Sequence, residues 1–578
     1  MIRSRPVTLD ATKWDAIEPV LDELRDRPVT SADELVRWLE DRSAFESAAS
    51  EAQANLYIDM TRRTNDEAAQ QAYASFVESI PPRLKPRLFE LDRRTIELAG
   101  ATPPERERYE VILRDTASEV DLFRDENIPI ETELARLGQE FGQISGAMTV
   151  EYKGKERPLA QMAVFQESTD RKERESAWRA VADRRLQDAD RLEGLFDKMV
   201  ARRHALAQNA GFADYIGYAF KSKLRFDYTP ADCRDFHDAC AQVVVPFNRR
   251  LQSERERRLG LEALRPWDLA VDPKGRPPLR PFETGRELFD KTLACFEELD
   301  PRLASMFAEL GDGLDETGRA ERPTLDLESR KGKAPGGYQY MRDASQVPFI
   351  FMNAAGMQGD VRTMIHEAGH AFHSMVLRDE PLLHYRHAPI EFCEVASMAM
   401  EFLTMPHWGV FYDDPQDLAR ARREQIEGGV QILSWIATID AFQHWIYAQP
   451  AHDHDARRAA WLELDDRFGY LGRFRPDFDG LNPDYRARAW QRQGHLFTSP
   501  FYYIEYGIAQ LGALGLWIMS LEKSPADAIE AYLKGLQLGG SRPLPELFKA
   551  CGLPFDFGPE TVGRLVERAQ QELDKLKD

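Results

Sequence analysis

The sequence predicts a mainly α-helical fold with a small β-sheet beside a helix that carries metal-ligand residues. Over long stretches of the chain, apolar residues recur every three or four positions among charged ones, which is typical of amphipathic helices on a core. Two short apolar runs flank a glycine-rich turn at 330–338, and the helical segment 361–377 contains paired histidines. Hydrophobic residues make up 43% and charged residues 30% of the chain, as in globular proteins.

The first 200 residues are predicted to form a helical lobe that lacks a cluster of reactive side chains. Helical spacing covers four segments of this lobe, namely 31–39, 45–61, 65–80 and 87–98. The segment 148–162, with Lys153-Gly154-Lys155 at its centre, predicts a small hairpin. Residues 201–578 are predicted to form a second domain. Within it, the prolines of 263–283 indicate a surface loop.

Five consecutive residues, His366-Glu367-Ala368-Gly369-His370, carry the clearest chemical signal in the chain. They lie in the predicted helix 361–377, for which Asp360 is a candidate N-cap. Because positions i and i+4 lie one above the other on a helix, His366 and His370 can bind one metal ion. Glu367 projects beside them, within reach of a water on that ion. This is the H-E-x-x-H arrangement of zinc peptidases, and the alternative is a partly buried helix with two unrelated histidines.

A metal site needs a further ligand, and Glu394 is the best candidate. A catalytic zinc keeps three protein ligands and an open position for water. The metzincin class is excluded because Val376 stands where its third histidine would be, and His373 lies a turn beyond the pair, as a neighbour of the site. The segment 390–402 predicts a second helix, on which Glu394 and Glu401 share a face among apolar residues. We expect Glu394 to bind the ion and Glu401 to orient a ligand imidazole, although both glutamates could instead face solvent.

Two short strands and a glycine-rich turn precede the histidine helix. Segments 325–327 and 347–353 predict strands, and Pro348 places the second one at the edge of a sheet. The turn does not match G-x-x-x-x-G-K-[ST], which excludes a phosphate-binding loop. An edge strand beside a metal helix can bind an extended peptide as an added strand, with an ordinary packed hairpin as the alternative. The residues expected to contact such a peptide are Gly336, Tyr338, Phe349 and Met352.

Composition disfavours several classes of partner. The net charge of −21 argues against nucleic acid and anionic membranes, which require basic patches. The five cysteines are odd in number and form no C-x-x-C, which indicates a reducing compartment. Residues 1–8 lack the apolar core of a signal peptide, and the most apolar stretch, 508–521, is too short to span a bilayer. We therefore expect a cytoplasmic protein, whose oligomeric state does not follow from its sequence.

Taken together, these motifs make the sequence similar to the oligoendopeptidase F and thimet oligopeptidase family of zinc metallopeptidases, and especially to its oligoendopeptidase F branch. The resemblance extends over about residues 326–507. The segments that carry it are the glycine-rich turn 330–338, the strand 348–353, the helix 366–373 and the segment 394–397.

The resemblance implies both an architecture and a chemistry. Two helical lobes should surround a deep substrate channel, with residues 201–578 as the catalytic zinc-peptidase domain. One Zn²⁺ per chain should be held by His366, His370 and Glu394, with Glu367 as the general base. Short peptides are the implied substrates, because folded proteins cannot enter such a channel.

A histidine followed by closely spaced tyrosines is a further signature of the family. His495 and Tyr506 match it here, while the earlier tyrosine of the signature falls on Tyr503 if a one-residue gap is allowed and on Tyr502 otherwise. We assign His495, Tyr503 and Tyr506 as catalytic groups, with His495 and Tyr506 as the candidates that stabilise the oxyanion, and Tyr502 as a substrate contact. An aromatic run of this kind is also compatible with simple core packing.

Three functions are compatible with the sequence. The complete set of ligands and base favours a zinc-dependent endopeptidase that acts on short peptides. A zinc carboxypeptidase of similar helical architecture is an alternative, and cleavage of a C-terminally blocked peptide would exclude it. A non-catalytic peptide-binding protein is the other alternative, and it would retain peptide without turnover.

Overall fold

The computed structural model describes residues 9–576, and segment 1–8, on which the signal-peptide expectation rests, lies outside the described residues. Helices dominate, which confirms the mainly α fold class. The helices of the first half are α1 (Trp14–Asp26), α2 (Ala32–Arg62), α3 (Glu67–Ser79), α4 (Pro81–Ala101), α5 (Arg106–Leu122), α6 (Ile128–Gly146), α7 (Ala163–Gln166), α8 (Arg171–Gln187), α9 (Ala189–Asn209), α10 (Tyr215–Ser222), α11 (Pro230–Ala239), α12 (Val245–Leu259), α13 (Gly285–Leu299) and α14 (Pro301–Gly311). Those of the second half are α15 (Gln358–Val376), α16 (Leu383–Arg386), α17 (Ile390–Leu403), α18 (Pro415–Ala448), α19 (His454–Phe468), α20 (Asp484–Ala487), α21 (Gly494–Thr498), α22 (Tyr503–Glu522), α23 (Pro525–Leu536), α24 (Leu544–Ala550) and α25 (Pro559–Lys575).

The strands form a hairpin and a three-stranded sheet. The predicted hairpin is confirmed, with β1 (Thr149–Tyr152) antiparallel to β2 (Lys155–Pro158). The sheet contains β3 (Leu325–Glu328), β4 (Tyr338–Arg342) and β5 (Val347–Ala354) in the order β3-β5-β4, with β5 parallel to β3 and antiparallel to β4. The prediction that 347–353 is an edge strand was therefore wrong. Pro348 is tolerated because it lies at the second position of β5, near the strand end.

Two helical segments that the sequence pattern separates form one longer helix in the helical lobe. Segments 31–39 and 45–61 belong to one helix of 31 residues, α2. The charged stretch between them does not break the helix, because Arg42 pairs with Glu46 one turn on and with Asp92 of α4. A run of charges interrupts an apolar stripe without interrupting a helix when the charges have partners.

The two largest apolar clusters divide the described residues unevenly. One joins α1 to α5 with Leu382 and Tyr385 around α16, and the other extends from Leu137 in α6 to Leu573 in α25. Arg62 at the end of α2 connects the helical lobe to the sheet, since its Nε donates to Asp326 of β3 at 2.9 Å. Helix α6 and most of α9 lie before residue 200, yet they pack in the larger cluster with helices that follow it. The domain boundary at residue 200 therefore does not coincide with a division between the clusters and stays a prediction.

Helix α22 is longer than the apolar stretch that the sequence shows. It contains 20 residues and is long and apolar enough, by length and composition, to cross a membrane, so the expectation that this region is too short was wrong. However, 72% of its apolar window is buried inside the protein, where α22 packs against α17, α18 and α23. Its place in the larger core accounts for its apolar composition.

Candidate active site

The histidine helix α15 and the glutamate helix α17 pack at unusually short backbone distance. A Cβ atom on Gly369 would lie 2.5 Å from the carbonyl oxygen of Ala396 and 2.6 Å from the Cα of Ser397, so only glycine fits between the two helices. Helix α15 begins three residues earlier than predicted. Asp360 is not the N-cap of α15 but its third residue. The Asp360 carboxylate accepts hydrogen bonds from the backbone N–H groups of Ala355 and Met357, both at 2.8 Å.

The close packing brings the three predicted ligands together. The Nε2 atoms of His366 and His370 lie 3.4 and 3.7 Å from Oε2 of Glu394, and the ligand atoms of all three lie within 4.8 Å of one another. Burial alone would raise the pKa of Glu394, but the two imidazoles lower it to about 2 and keep it anionic. Two imidazole nitrogens and one carboxylate are a donor set of catalytic zinc sites, so these residues fit a metal ion.

Neighbouring groups fix the orientation of both imidazoles. Nδ1 of His366 lies 2.8 Å from Oε1 of Glu401. The other carboxylate oxygen of Glu401 accepts a hydrogen bond from the side-chain amide of Gln425 at 3.0 Å. His370 hydrogen-bonds the backbone carbonyl of Cys393. These contacts hold each Nε2 toward the cluster, and a hydrogen bond on the far nitrogen of a metal-binding imidazole is the usual arrangement. Glu401 thus lies where a group that orients His366 is needed.

Glu367 lies beside the ligand cluster and is nearly enclosed, with 8% of its surface exposed. Burial raises its pKa to about 7. The backbone N–H of Gln339 in β4 hydrogen-bonds its carboxylate, which connects the sheet to the histidine helix. A carboxyl group with a pKa near neutrality can both accept and release a proton at physiological pH.

The tyrosines after His495 divide into two groups. The hydroxyl of Tyr502 lies 3.5 Å from Oε1 of Glu394, and Tyr502 and Tyr506 hydrogen-bond each other. The hydroxyl of Tyr503 instead donates to Oε1 of Gln493 at 3.0 Å, and the same amide contacts Nδ1 of His495 at 2.7 Å. The structure therefore brings Tyr502, and not Tyr503, to the ligand cluster, with Tyr506 beside it.

The sheet presents different residues to the site than its sequence pattern predicts. Phe349 and Met352 lie in the central strand β5, where they are 0% and 2% exposed and pack in apolar clusters. Both were expected to contact a substrate, and their burial in the core speaks against that role. The hydroxyl groups of Tyr338 and of Thr61 in α2 share a hydrogen bond of 2.7 Å, and the Tyr338 ring stacks on Phe351. Gly336 is exposed in the turn before β4. The edge strand beside α15 is β4.

Some groups at the site carry no recognisable signal in the sequence. The amides of Gln425 and Gln493 hold Glu401, His495 and Tyr503, yet no spacing rule connects them to the histidine motif.

The outcome for His373 agrees with its predicted position. It is buried, stands outside the ligand group and contacts Phe392.

A cavity of about 650 Å³ lies beside Glu401. Arg362, Trp435, Gln493 and Tyr503 also line it, whereas the three predicted ligands and Glu367 are not among its lining residues. The cavity thus adjoins the group that orients His366 rather than the ligands themselves.

Residues 164–557 match peptidase family M3. The chain belongs to that family. It is 23% identical over 261 residues to oligopeptidase PepF of Bacillus subtilis, which is 45% of this chain and 38% of that protein. It is 22% identical over 375 residues to an oligoendopeptidase F homolog of Lactococcus lactis, which is 62% of this chain and 57% of that protein. The matched stretches therefore span less than two thirds of these relatives.

Solved structures confirm the fold. The structure of PZ peptidase A with an inhibitor superposes with a TM-score of 0.86 at 26% sequence identity, covering 100% of this chain and 99% of that one. Oligoendopeptidase F from Enterococcus faecium superposes with a TM-score of 0.63 at 14% identity. The resemblance to the oligoendopeptidase F branch, inferred from the motifs, is confirmed by these matches.

Proposed function

We propose that this protein is a zinc-dependent endopeptidase that hydrolyses internal bonds of short peptides. The observation that carries the proposal is the convergence of His366, His370 and Glu394 within 4.8 Å, with the carboxyl of Glu367 beside them. Membership of a peptidase family agrees with this chemistry. One Zn²⁺ would be held by His366, His370 and Glu394, and when bound it supplies a Lewis acid that polarises a carbonyl and acidifies water.

In the proposed mechanism, Glu367 moves the proton. Its carboxylate accepts a proton from the water that attacks the scissile carbonyl, and the resulting carboxylic acid gives that proton to the leaving amine. Both steps need a group that changes protonation state near neutral pH. The burial of Glu367, which raises its pKa to about 7, provides that property.

Hydroxyl groups of the tyrosine segment are the proposed donors to the oxyanion. Tyr502 and Tyr506 lie on the Glu394 side of the cluster, and burial raises the pKa of both, so both hydroxyls stay protonated. A positioned donor at this place stabilises the negative charge that develops on the carbonyl oxygen. His495 lies next to them, with ring centroids 5.5 Å from Tyr502 and 6.1 Å from Tyr506.

Short peptides are the proposed substrates, in agreement with the similarity of the chain to oligopeptidase PepF and to an oligoendopeptidase F homolog. The cavity of about 650 Å³ beside Glu401 can hold side chains of a peptide but not a folded domain. The edge strand β4, which touches Glu367 through Gln339, can pair with an extended peptide backbone. Backbone pairing of this kind would make the preference for particular side chains loose.

Cleavage of a fluorescence-quenched peptide with both termini blocked tests the proposal. We expect the zinc-loaded protein to cleave internal bonds of this peptide, and Glu367→Gln to keep its zinc and its fold while losing cleavage by about four orders of magnitude. Glu522→Gln, the same change on an exposed glutamate at the end of α22, is the matched control and should keep full activity. Cleavage by Glu367→Gln at the wild-type rate would refute the assignment of the base, and cleavage only of peptides with a free C-terminus would show a carboxypeptidase.

A further inference from the structure

Two helices far from each other in sequence bring four metal-ligand side chains together away from the active site. Helix α11 carries Cys233 and His237, and helix α18 carries Asp440 and His444. Each pair has i,i+4 spacing, so both of its members lie on one face of their helix. The two helices pack against each other, and the ligand atoms of Cys233, Asp440 and His444 all lie within 4.8 Å of one another.

The cluster is buried and its polar atoms are incompletely paired. Cys233 and Asp440 are 0% exposed. Nε2 of His237 lies 2.9 Å from Oδ2 of Asp440, and Nε2 of His444 lies 3.4 Å from the same oxygen. Within residues 9–576, Oδ1 of Asp440 has no hydrogen-bond partner. Most buried polar atoms in proteins are hydrogen-bonded, so a buried carboxylate oxygen without a partner points to a bound ion.

The charges of the cluster match those of a divalent cation. A buried carboxylate requires a partner of opposite charge, and the polar contacts to Asp440 come from two imidazoles that are neutral unless protonated. A Zn²⁺ ion bound by the Asp440 carboxylate and the Cys233 thiolate forms a neutral unit, and its formation releases the thiol proton. Thiolate, imidazole and carboxylate are all established zinc ligands.

We propose that Cys233, Asp440 and His444 bind a second zinc ion, with His237 hydrogen-bonded to the Asp440 carboxylate beside it. Because Cys233 and Asp440 are fully buried, substrate cannot reach this ion and its role would be structural. The site would hold α11 to α18, which also carries the Gln425 that contacts Glu401. A cysteine nucleophile is excluded because a fully buried thiol cannot reach a substrate.

Sulfur ligation separates this site from the active site, whose proposed ligands contain no sulfur. The purified protein, dialysed against a weak chelator, should hold two zinc ions per chain. Its zinc X-ray absorption spectrum should contain a sulfur ligand at about 2.3 Å. In Glu394→Ala, which removes an active-site ligand, one zinc should remain and the sulfur contribution per zinc should double. Replacing zinc with Co²⁺ should produce a sulfur-to-cobalt charge-transfer band in both proteins.

A pair of cysteine variants provides the matched comparison. Cys233→Ser should lose one zinc per chain and the sulfur signal while peptide cleavage still depends on Glu367. Cys240→Ser changes an equally buried thiol seven residues on, which donates to the Leu433 carbonyl, and should keep both ions. If Cys233→Ser does not fold, the spectrum of the wild-type protein still decides the question. Wild-type protein with only nitrogen and oxygen ligands around zinc would overturn this proposal and leave the peptidase proposal intact.

Discussion

The substitution Gly369→Ala tests whether the close packing of α15 on α17 creates the metal site. The new Cβ atom would lie 2.5 Å from the Ala396 carbonyl oxygen, and ordinary van der Waals contact begins at 3.4 Å, so the contact is short by about 0.9 Å. The three nearest atoms that oppose the new methyl group all belong to the backbone of α17. The strain can therefore be relieved only by moving one helix away from the other.

The size of the effect follows from this displacement. Overpacking of a core costs about 1–3 kcal/mol of stability. A shift of about 1 Å between Glu394 and the two histidines should lower kcat/KM about 100-fold. Zinc affinity should fall as well, because Glu394 and the histidines are held on different helices.

Peptide cleavage, zinc competition against a chelator and urea denaturation measure these effects together. Gly359→Ala is the matched control, since Gly359 lies on the same helix and a Cβ there meets no atom within 4 Å. The control should keep wild-type activity and zinc affinity. Wild-type zinc affinity and kcat/KM in Gly369→Ala would refute the reasoning, because the ligand geometry would then not depend on the helix separation.

Three further predictions follow from contacts around the site. Glu401→Gln removes the charge that orients His366 and should weaken zinc binding about 10- to 100-fold in a chelator competition; unchanged affinity would contradict this role. Tyr502→Phe should lower kcat about 100-fold with little effect on KM, whereas Tyr503→Phe should change kcat less than about 3-fold; equal losses would contradict the assignment of the oxyanion donor. Arg62→Met leaves the buried Asp315 without its arginine, whereas Asp326 keeps Arg330 and Lys333, and should cost about 3 kcal/mol in urea denaturation; a loss below about 1 kcal/mol would show that α2 docks by apolar contacts.

Local spacing was sufficient to predict the chemistry that lies on single helices. Helix α15 and helix α17 were predicted within three residues of their observed ends, because their apolar stripes and i,i+4 histidines are local properties. The contact of Glu401 with His366 was expected for the same reason, since Glu394 and Glu401 share a face of α17. The role of Gly369 was missed, because a close approach between two helices leaves no periodic mark in either one.

Features that depend on strand order and distant contacts could not be predicted. Pro348 suggests an edge strand, but β5 is flanked by β3 and β4, and this order depends on which segment pairs with it. Tyr502 and Tyr503 are adjacent in sequence, yet their hydroxyls contact different partners, Glu394 and Gln493, and only the fold decides which one reaches the ligands. The cluster of Cys233 and Asp440 consists of two ordinary i,i+4 pairs about 200 residues apart, and only the packing of α11 on α18 joins them.

Anomalous diffraction at the zinc edge, from crystals of the zinc-loaded protein, would locate the bound ion. We expect a strong peak bonded at about 2.0–2.2 Å to Nε2 of His366, Nε2 of His370 and a carboxylate oxygen of Glu394, with Glu367 close by but not bonded. A crystal with zinc bound elsewhere and no peak among these three side chains would contradict this expectation.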